Sequence, residues 1–298
     1  MKVMNKLSFT AVAAVVATLG MLQAASADTR KETRLEITPG GTVNIVNNYG
    51  SVTLRGGSGR QVLVAYTLHS DKVEVDESTT SDKLRAEIRT HVLSDPKPTV
   101  EETRVEYEVT VPAGVAVNVS TATAPIVAEG LSGDLTLSSD TGQITVRSVA
   151  RVHVHVRGVT APVSLTSVSN GHVEITSSGG EVQLVDVWGP KVWVGTTSGN
   201  ISYRGDCSGG GDYNLTTHSG VIEVTLPETA SFDVSARSVS GSVQNDFPLK
   251  DKPHSFYPSK AGSSFSGTSN SGSSSVELQS FSGRIRVKKQ PSAAATPK

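Results

Sequence analysis

Ser139-Asp140-Thr141-Gly142-Gln143-Ile144-Thr145-Val146 joins a polar turn and a glycine to a short run of alternating polar and apolar residues. Alternation with a period of two is typical of a β-strand that has one buried face and one solvated face. The same phrase returns five more times, at residues 178–184, 197–203, 218–224, 239–243 and 281–287. This recurrence predicts a fold built by stacking copies of one small unit.

The copies are regularly spaced. A small residue heads successive copies at intervals of 19 and then 21 residues, namely Gly142, Ala161, Gly180, Gly199, Gly220 and Gly241. Gly283 follows 42 residues later, which is two such periods and predicts one degenerate repeat in between. A second ladder of apolar pairs keeps the same periods: Leu135/Leu137, Val154/Val156, Val173/Ile175, Val192/Val194, Tyr213/Leu215, Val234/Ala236 and Val276/Leu278.

Two strand ladders with a common period predict an all-β, parallel β-solenoid resembling a β-helix. It would have about eight coils of 19–21 residues over 124–288, with two strands per coil. A single coil cannot bury its own apolar pairs, so stacking should align one internal column of Ile144, Val163, Val182, Ile201, Ile222 and Val243. The small residue at each corner would allow a tight turn, including a positive φ.

The flanking segments are expected to close the ends of the repeat, where strand edges would otherwise be exposed. Residues 28–123 form an N-terminal β-rich part, with strands predicted at 34–37, 42–46, 51–54, 61–68, 83–90 and 104–111. Residues 247–275, a Pro/Lys stretch followed by a Ser/Gly-rich run, are predicted to be a mobile loop or a degenerate coil. Residues 289–298 are predicted to be a disordered tail.

The first 27 residues predict export. Lys2 and Lys6 precede an apolar run from Phe9 to Leu22, and Ala25-Ser26-Ala27 is a small-residue cleavage signal, so residues 1–27 match a signal peptide. The apolar run is shorter than the roughly 20 residues that a transmembrane helix needs. Polar residues interrupt every later apolar run, so no transmembrane anchor is predicted. The protein is therefore expected in the periplasm, at the cell surface or in the medium.

Composition argues against a nucleic-acid-binding protein and against a protein stabilised by intrachain disulfides. The chain has 27 basic and 28 acidic residues, and such a balance lacks the basic excess of a nucleic-acid-binding protein. Cys207 is the only cysteine, so no intrachain disulfide can form, and its Gly-rich surroundings favour a structural role.

The sequence resembles a bacterial family of β-strand-repeat domains that are classed as candidate adhesins and otherwise count as domains of unknown function. The resemblance covers nearly all of the chain after residue 27 and rests on the repeated Ser-Gly-x-Ile-x-Val phrase. Its most specific stretches are residues 226–227, 231–234, 236–243, 245–249 and 280–287. It implies a β-helix-like fold, an extracytoplasmic location and adhesion. The Ser/Gly-rich run after Leu249 departs from the family pattern.

One outward-facing cluster could bind a metal ion. With a period of 19, His153 lies beside His172 and His155 beside Glu174, and imidazole and carboxylate groups are ligands of divalent transition metals. The alternative is an ordinary solvated face, since Asp134 and Lys191 belong to the same column. Trp193 is also predicted to face outward, where an indole could stack on a sugar or be covered by a loop.

No catalytic residue or cofactor is predicted. Asp140-Thr141-Gly142 matches the aspartic-protease triplet, but that chemistry needs two converging aspartates, and other copies place Ser178, Thr197, His218, Val239 and Phe281 at the position of Asp140. The sequence therefore favours a non-enzymatic binding module or adhesin, with a cell-surface glycan or a protein as partner. Two alternatives stay open: a periplasmic scaffold or signalling partner, and a polysaccharide-acting β-helix enzyme, which would need carboxylates gathered on one face.

Overall fold

The computed structural model describes residues 28–93, 98–207, 209–250 and 263–290. Its first twelve strands are β1 (Thr29–Glu36), β2 (Thr42–Val46), β3 (Gly50–Gly57), β4 (Gln61–Leu68), β5 (Val73–Thr79), β6 (Arg85–Val92), β7 (Val105–Pro112), β8 (Ala116–Thr121), β9 (Ile126–Glu129), β10 (Leu135–Ser139), β11 (Ile144–Ala150) and β12 (His153–Gly158). The others are β13 (Val163–Ser169), β14 (His172–Ser177), β15 (Val182–Trp188), β16 (Lys191–Thr196), β17 (Ile201–Arg204), β18 (Gly211–Thr217), β19 (Ile222–Leu226), β20 (Phe232–Ser238), β21 (Val243–Asn245), β22 (Ser264–Ser269), β23 (Ser274–Ser280) and β24 (Ile285–Lys289). One 3₁₀ turn, Glu101–Thr103, interrupts them.

The strands form two sheets of 12 strands each. Sheet A has the order β1-β4-β7-β3-β9-β11-β13-β15-β17-β19-β24-β21, and sheet B has the order β22-β20-β23-β18-β16-β14-β12-β10-β8-β2-β6-β5. From β8 to β19 the chain alternates between the sheets, and each strand from β8 to β17 pairs in parallel with the strand one coil further on. Val163, for example, is level with Val182, and Val182 with Ile201. The predicted all-β parallel solenoid is confirmed.

The core lies between the two sheets. Inward positions of both ladders are buried except at the last predicted member, Val243, which is partly buried. The sheet A members Ile144, Val163, Val182, Ile201 and Ile222 are at most 1% exposed, and the sheet B ladder is buried in the same way. Burying a Val, Leu or Ile side chain stabilises a protein by about 1.5–3 kcal/mol. The apolar columns are therefore the main source of stability, and their alternation with polar residues determines which side of each strand faces inward.

A buried column of hydroxyl groups lies beside the apolar core at the ends of five sheet B strands, β14, β16, β18, β20 and β23. Ser177, Thr196, Thr217, Ser238 and Ser280 are each less than 9% exposed. Each side-chain oxygen accepts a hydrogen bond from the backbone N–H of the glycine three residues later, at 2.8–3.0 Å. The column thus satisfies backbone donors at the corner that would otherwise be buried without a partner.

The glycines at this corner have a different role from the predicted one. Positive φ was expected there, but Gly142, Gly180, Gly199, Gly220, Gly241 and Gly283 are all absent from the left-handed region. Instead, their Cα atoms touch the backbone of the neighbouring coil: a Cβ on Gly180 would lie 1.9 Å from the carbonyl oxygen of Ala161. Positive φ occurs within the sheet A strands, at Ser148, Ser167 and Asp186, where polar side chains tolerate it.

The coils do not stack in sequence order at the C-terminal end, which corrects the predicted internal column. Strand β24 lies between β19 and β21, so Ile222 is level with Ile285, and Ile285 with Val243. On sheet B, β23 likewise lies between β18 and β20. The last coil of the chain is therefore inserted between two coils that are consecutive in sequence, and Val243 does not lie next to Ile222.

Antiparallel strands close both sheets at the N-terminal end of the stack and sheet B at the C-terminal end. At the C-terminal end, β22 pairs antiparallel with β20, so residues 264–269 of the predicted loop form an edge strand, while 251–262 lie outside the described residues. At the N-terminal end, β1 pairs with β4 and β5 with β6, both antiparallel. Strand β5 was not predicted from the sequence. Both sheets continue across residue 123, because β2 pairs with β8 and β3 with β9.

Of the two segments predicted at the chain ends, the N-terminal one is not described and the C-terminal one is described only in part. The signal peptide, residues 1–27, lies outside the described residues, as do 291–298 of the predicted tail. Lys289 was assigned to that tail, but it belongs to β24, and its ammonium is 2.7 Å from Glu228 Oε1. The adjacent Gln290 donates its backbone N–H to Leu226 at 2.7 Å, so the ordered coil extends to residue 290.

Candidate binding face

The outer face of sheet B carries the cluster predicted from the sequence. We call the outward side chains of β12, β14, β16 and β18 the sheet B face. Since parallel strands align equivalent positions, they form two columns: His153, His172, Lys191 and Asp212 in the first, and His155, Glu174, Trp193 and Asn214 in the second. The neighbours predicted from the 19-residue period, His153 with His172 and His155 with Glu174, are confirmed.

His153 and His172 form a close pair. Their ring centroids are 5.1 Å apart with an edge-on arrangement, and His153 is the more exposed of the two. The backbone N–H of His153 donates to Asp134 Oδ1 at 2.9 Å, which ties the start of this column to the preceding coil. Lys191 follows His172 in the column, so a cation added here would lie next to an ammonium group.

His155 is engaged with other partners. Its Nδ1 is 3.6 Å from Glu174 Oε2, and its Nε2 accepts a hydrogen bond from Arg157 Nε at 2.9 Å. The Nε2 atom of His155 is therefore hydrogen-bonded to the Arg157 guanidinium and is not free to bind a metal ion. Among the residues that the structure describes, no three His, Cys, Asp or Glu side chains are close enough together to hold a metal. The four predicted ligands are two neighbouring pairs that do not converge.

Trp193 is half-buried in the second column, between Glu174 and Asn214 on the adjacent strands. Its six-membered ring lies across Gly195 of the same strand, since a Cβ on that glycine would be 2.5 Å from Cη2 of the indole. The indole ring can lie at this position because Gly195 has no side chain. The spacing Trp-x-Gly on one strand was the available sequence signal for this arrangement.

The aspartic-protease triplet is a corner of the repeat. Asp140 is exposed, and its backbone carbonyl accepts hydrogen bonds from Thr160 and Ala161 of the next coil, at 2.8 and 3.1 Å. The same corner in later coils is occupied by Val159, Ser178 and Thr197, so no second aspartate stacks on it. This geometry does not bring together the two carboxylates that the protease mechanism requires.

A carboxylate on sheet A is also neutralised locally. Glu223 Oε2 is 2.7 Å from the Lys288 ammonium and 4.0 Å from Arg286, both on the inserted strand β24. Such an ion pair joins neighbouring strands of the sheet.

Sequence reasoning missed a feature at the corner near the C-terminal end. The repeat pattern places His218, Val239 and Phe281 at positions equivalent to Asp140. Sequential stacking would put the coil of Phe281 at the end of the stack, away from His218, so a contact between these two residues was not expected. The His218 and Phe281 rings are stacked, with centroids 4.8 Å apart and planes 3° apart. Phe281 and Val239 are 50% and 56% exposed, so this corner presents an apolar surface.

Burial makes the single thiol unreactive. Cys207 is 1% exposed, and burial, helped by the charge of Asp206, raises its pKa to about 12. A reactive cysteine needs a lowered pKa and access to solvent, so the predicted structural role fits this environment. None of the described residues forms a helix with the length and apolar character required to cross a membrane.

The sequence model of the Toastrack DUF4097 family matches residues 42–288. No curated protein matches the chain.

Three solved structures of low sequence identity are similar to the chain. A candidate cell adhesion protein from Clostridium sporogenes is 11% identical, with 88% of this chain and 100% of that chain covered and a TM-score of 0.30. A candidate adhesin from Bacteroides fragilis is 8% identical, with coverages of 88% and 98% and a TM-score of 0.49. A candidate adhesin from Parabacteroides distasonis is 10% identical, with coverages of 89% and 98% and a TM-score of 0.42.

Proposed function

The chain belongs to the Toastrack DUF4097 family, and from this premise we propose that it is an exported, non-catalytic binding module that acts in adhesion outside the cytoplasm. The sheet B face carries this proposal. It presents two straight columns of polar and aromatic side chains on parallel strands about 4.8 Å apart. A surface of this kind can contact an extended partner at many points without a deep cleft.

The sheet beneath this face is well braced, which supports a binding role. The inward side chains of the same strands are buried, and the hydroxyl column closes the corner hydrogen bonds of successive coils. A preorganised surface loses less conformational entropy when it binds a partner. Affinity would then come from many modest contacts along the columns.

Export is supported by the N-terminal residues. A basic start, a short apolar run and a small-residue cleavage signal are the features of a secretory signal peptide. Dependence on packing rather than on disulfides is compatible with either the periplasm or the cell surface. A periplasmic scaffold or signalling partner would use the same face, so location distinguishes it from an adhesin.

Protease accessibility tests this proposal. Bacterial cells that produce the protein are treated with protease either intact or after the outer layer has been opened, and the protein is followed by immunoblot. We expect cleavage on intact cells, together with adhesion to a surface that is lost when the protein is absent. Protection until the cells are opened would contradict adhesion and favour the periplasmic scaffold.

A further inference from the structure

A groove runs along the corner where sheet B meets the His218–Phe281 stack. It has a volume of about 360 Å³ and lies beside the ends of β16, β18 and β23. Nine residues line it, of which five carry hydroxyl groups and one is Gln279. Small-molecule sites commonly have volumes of about 300–1,000 Å³, so the groove is large enough for one or two sugar rings.

The aromatic wall of the groove lies where the last coil of the chain stacks on the coil of His218. Phe281 N–H donates to the carbonyl of His218 at 3.1 Å, and Ser282 N–H donates to the same oxygen at 2.9 Å. These bonds place the two residues side by side on adjacent coils, and their rings lie parallel to each other. One half of the Phe281 side chain stays exposed, with Val239 of the next coil beside it. The wall is thus an apolar surface that faces solvent.

The polar part of the groove is built mainly from hydroxyl and amide groups. Its lining includes no Asp, Glu, Lys or Arg. Thr197 is exposed, and Gln279 donates its amide N–H to Glu277 Oε1 at 2.5 Å, which leaves its amide carbonyl as an acceptor. Thr217 and Ser280 are buried and bonded to the corner glycines, so they stiffen the floor.

We propose that this groove binds a neutral oligosaccharide. The C–H face of a pyranose ring would stack on Phe281, while its hydroxyl groups would exchange hydrogen bonds with Thr197 and Gln279. An aromatic face next to neutral hydroxyl and amide groups matches a sugar, which has an apolar face and a polar rim. The lining offers no Lys or Arg to pair with the anionic groups of uronic acids or sulfated glycans, which favours a neutral sugar. The inference deepens the proposed adhesion function, on which it rests, by assigning the ligand class and its site.

Binding measurements on the exported, purified protein test the proposal. The probes are neutral hexasaccharides (cellohexaose, xylohexaose, chitohexaose, maltohexaose and laminarihexaose), an oligogalacturonate and a displayed peptide library. Calorimetry then compares the wild type with Phe281→Ala and Phe281→Trp. Trp188→Ala is the matched control, because Trp188 is a 42% exposed aromatic residue on the outer face of sheet A. Thermal unfolding verifies that each variant is folded.

We expect the wild type to bind at least one neutral hexasaccharide. Phe281→Ala should weaken that binding at least tenfold, Phe281→Trp should retain it, and Trp188→Ala should leave it unchanged.

Four results would overturn the groove assignment. They are binding that is equally strong in Phe281→Ala, binding of oligogalacturonate alone, binding of peptides that depends on Phe281, and no binding of any neutral hexasaccharide at millimolar concentration. In each case the proposed adhesion function is judged separately, by cell-surface exposure and cell adhesion, so the two failures are distinguishable.

Discussion

Gly283 packs against Gly220 so closely that a Cβ on Gly283 would lie 1.7 Å from the Gly220 carbonyl oxygen. The contact joins the last coil of the chain to a coil far earlier in the sequence. Gly241 makes the equivalent approach to Gly283, at 2.1 Å from its carbonyl oxygen. At Gly241 and Gly283 the corner therefore accepts only a residue without a side chain, and each of these contacts follows the stacking order of the coils.

Replacing Gly283 by alanine should destabilise the protein. The added methyl group would force the backbones apart, and overpacking of this kind costs about 1–3 kcal/mol. Gly59→Ala is the control, because nothing lies closer than 3.9 Å to a Cβ there, and a change within about 0.5 kcal/mol is expected. Urea unfolding followed by circular dichroism measures both. Equal stability of the two variants would contradict the close contact.

Thr217→Val should show how much the hydroxyl column contributes to the free energy of unfolding. It keeps the shape of the side chain but removes the acceptor of the Gly220 N–H, at 3.0 Å, and the donor to Gly199 O, at 3.3 Å. A buried backbone group left without a partner costs about 1–3 kcal/mol. Thr217→Ser retains the hydroxyl group and should lose less stability in the same unfolding assay. A valine variant as stable as the serine variant would argue against a structural role for the column.

Engineered disulfides can test the order of the coils. In a Cys207→Ala background, cysteines at Glu223 and Arg286 occupy level positions on adjacent parallel strands, about 4.8 Å apart, which suits a disulfide. Cysteines at Glu223 and Gln244 are separated by β24, at roughly twice that distance, and should not join. Mass spectrometry after mild oxidation reads the outcome. The opposite pattern would restore the sequential order expected from the repeat.

Stability should fall at alkaline pH. Burial raises the pKa of the Cys207 thiol and of the Tyr213 phenol to about 12, from ordinary values of 9.0 and 10.0. Between those limits the unfolded chain releases protons that the folded chain keeps. The free energy of unfolding should therefore be unaffected by these groups below pH 9 and decrease as the pH rises toward 12.

Urea midpoints measured from pH 8 to 11 follow this decrease, and Cys207→Ala should reduce the loss because one of the groups is removed. The Cys207 thiol should also react with a thiol reagent only after unfolding. An unchanged pH dependence in the variant, or rapid labelling of the folded protein, would show that the thiol is not protected as the structure indicates.

Zinc binding tests the predicted histidine cluster. The structure pairs His153 with His172 and engages His155 with Arg157, so we expect equally weak uptake by the wild type and by a His153→Ala/His172→Ala variant. Equilibrium dialysis with zinc and then nickel compares them. Tighter binding by the wild type that is lost in the variant would instead support the metal hypothesis.

Much of the candidate site could be predicted because a parallel stack converts sequence spacing into spatial adjacency. A period of 19 was enough to place His153 beside His172 and Glu174 between His155 and Trp193. The reach of these side chains could not be predicted in this way. Arg157 reaches His155 because of its side-chain length and its rotamer. The rotamer depends on the packing of the whole face.

The sequence by itself determined the class of fold, the inward and outward side of each repeat strand and the 19- to 21-residue coil, because alternation and period are local properties of the chain. Only the tertiary structure decided that β23 and β24 lie between two consecutive coils. The physical reason is that Gly220, Gly241 and Gly283 head nearly identical phrases, so local pattern allows any of them to stack on another. Strand β22 pairs antiparallel with β20, and the Glu223–Lys288 ion pair joins the inserted coil to its neighbour. Such long-range contacts select the stacking order of the coils. That order brings His218 and Phe281 together in their ring stack.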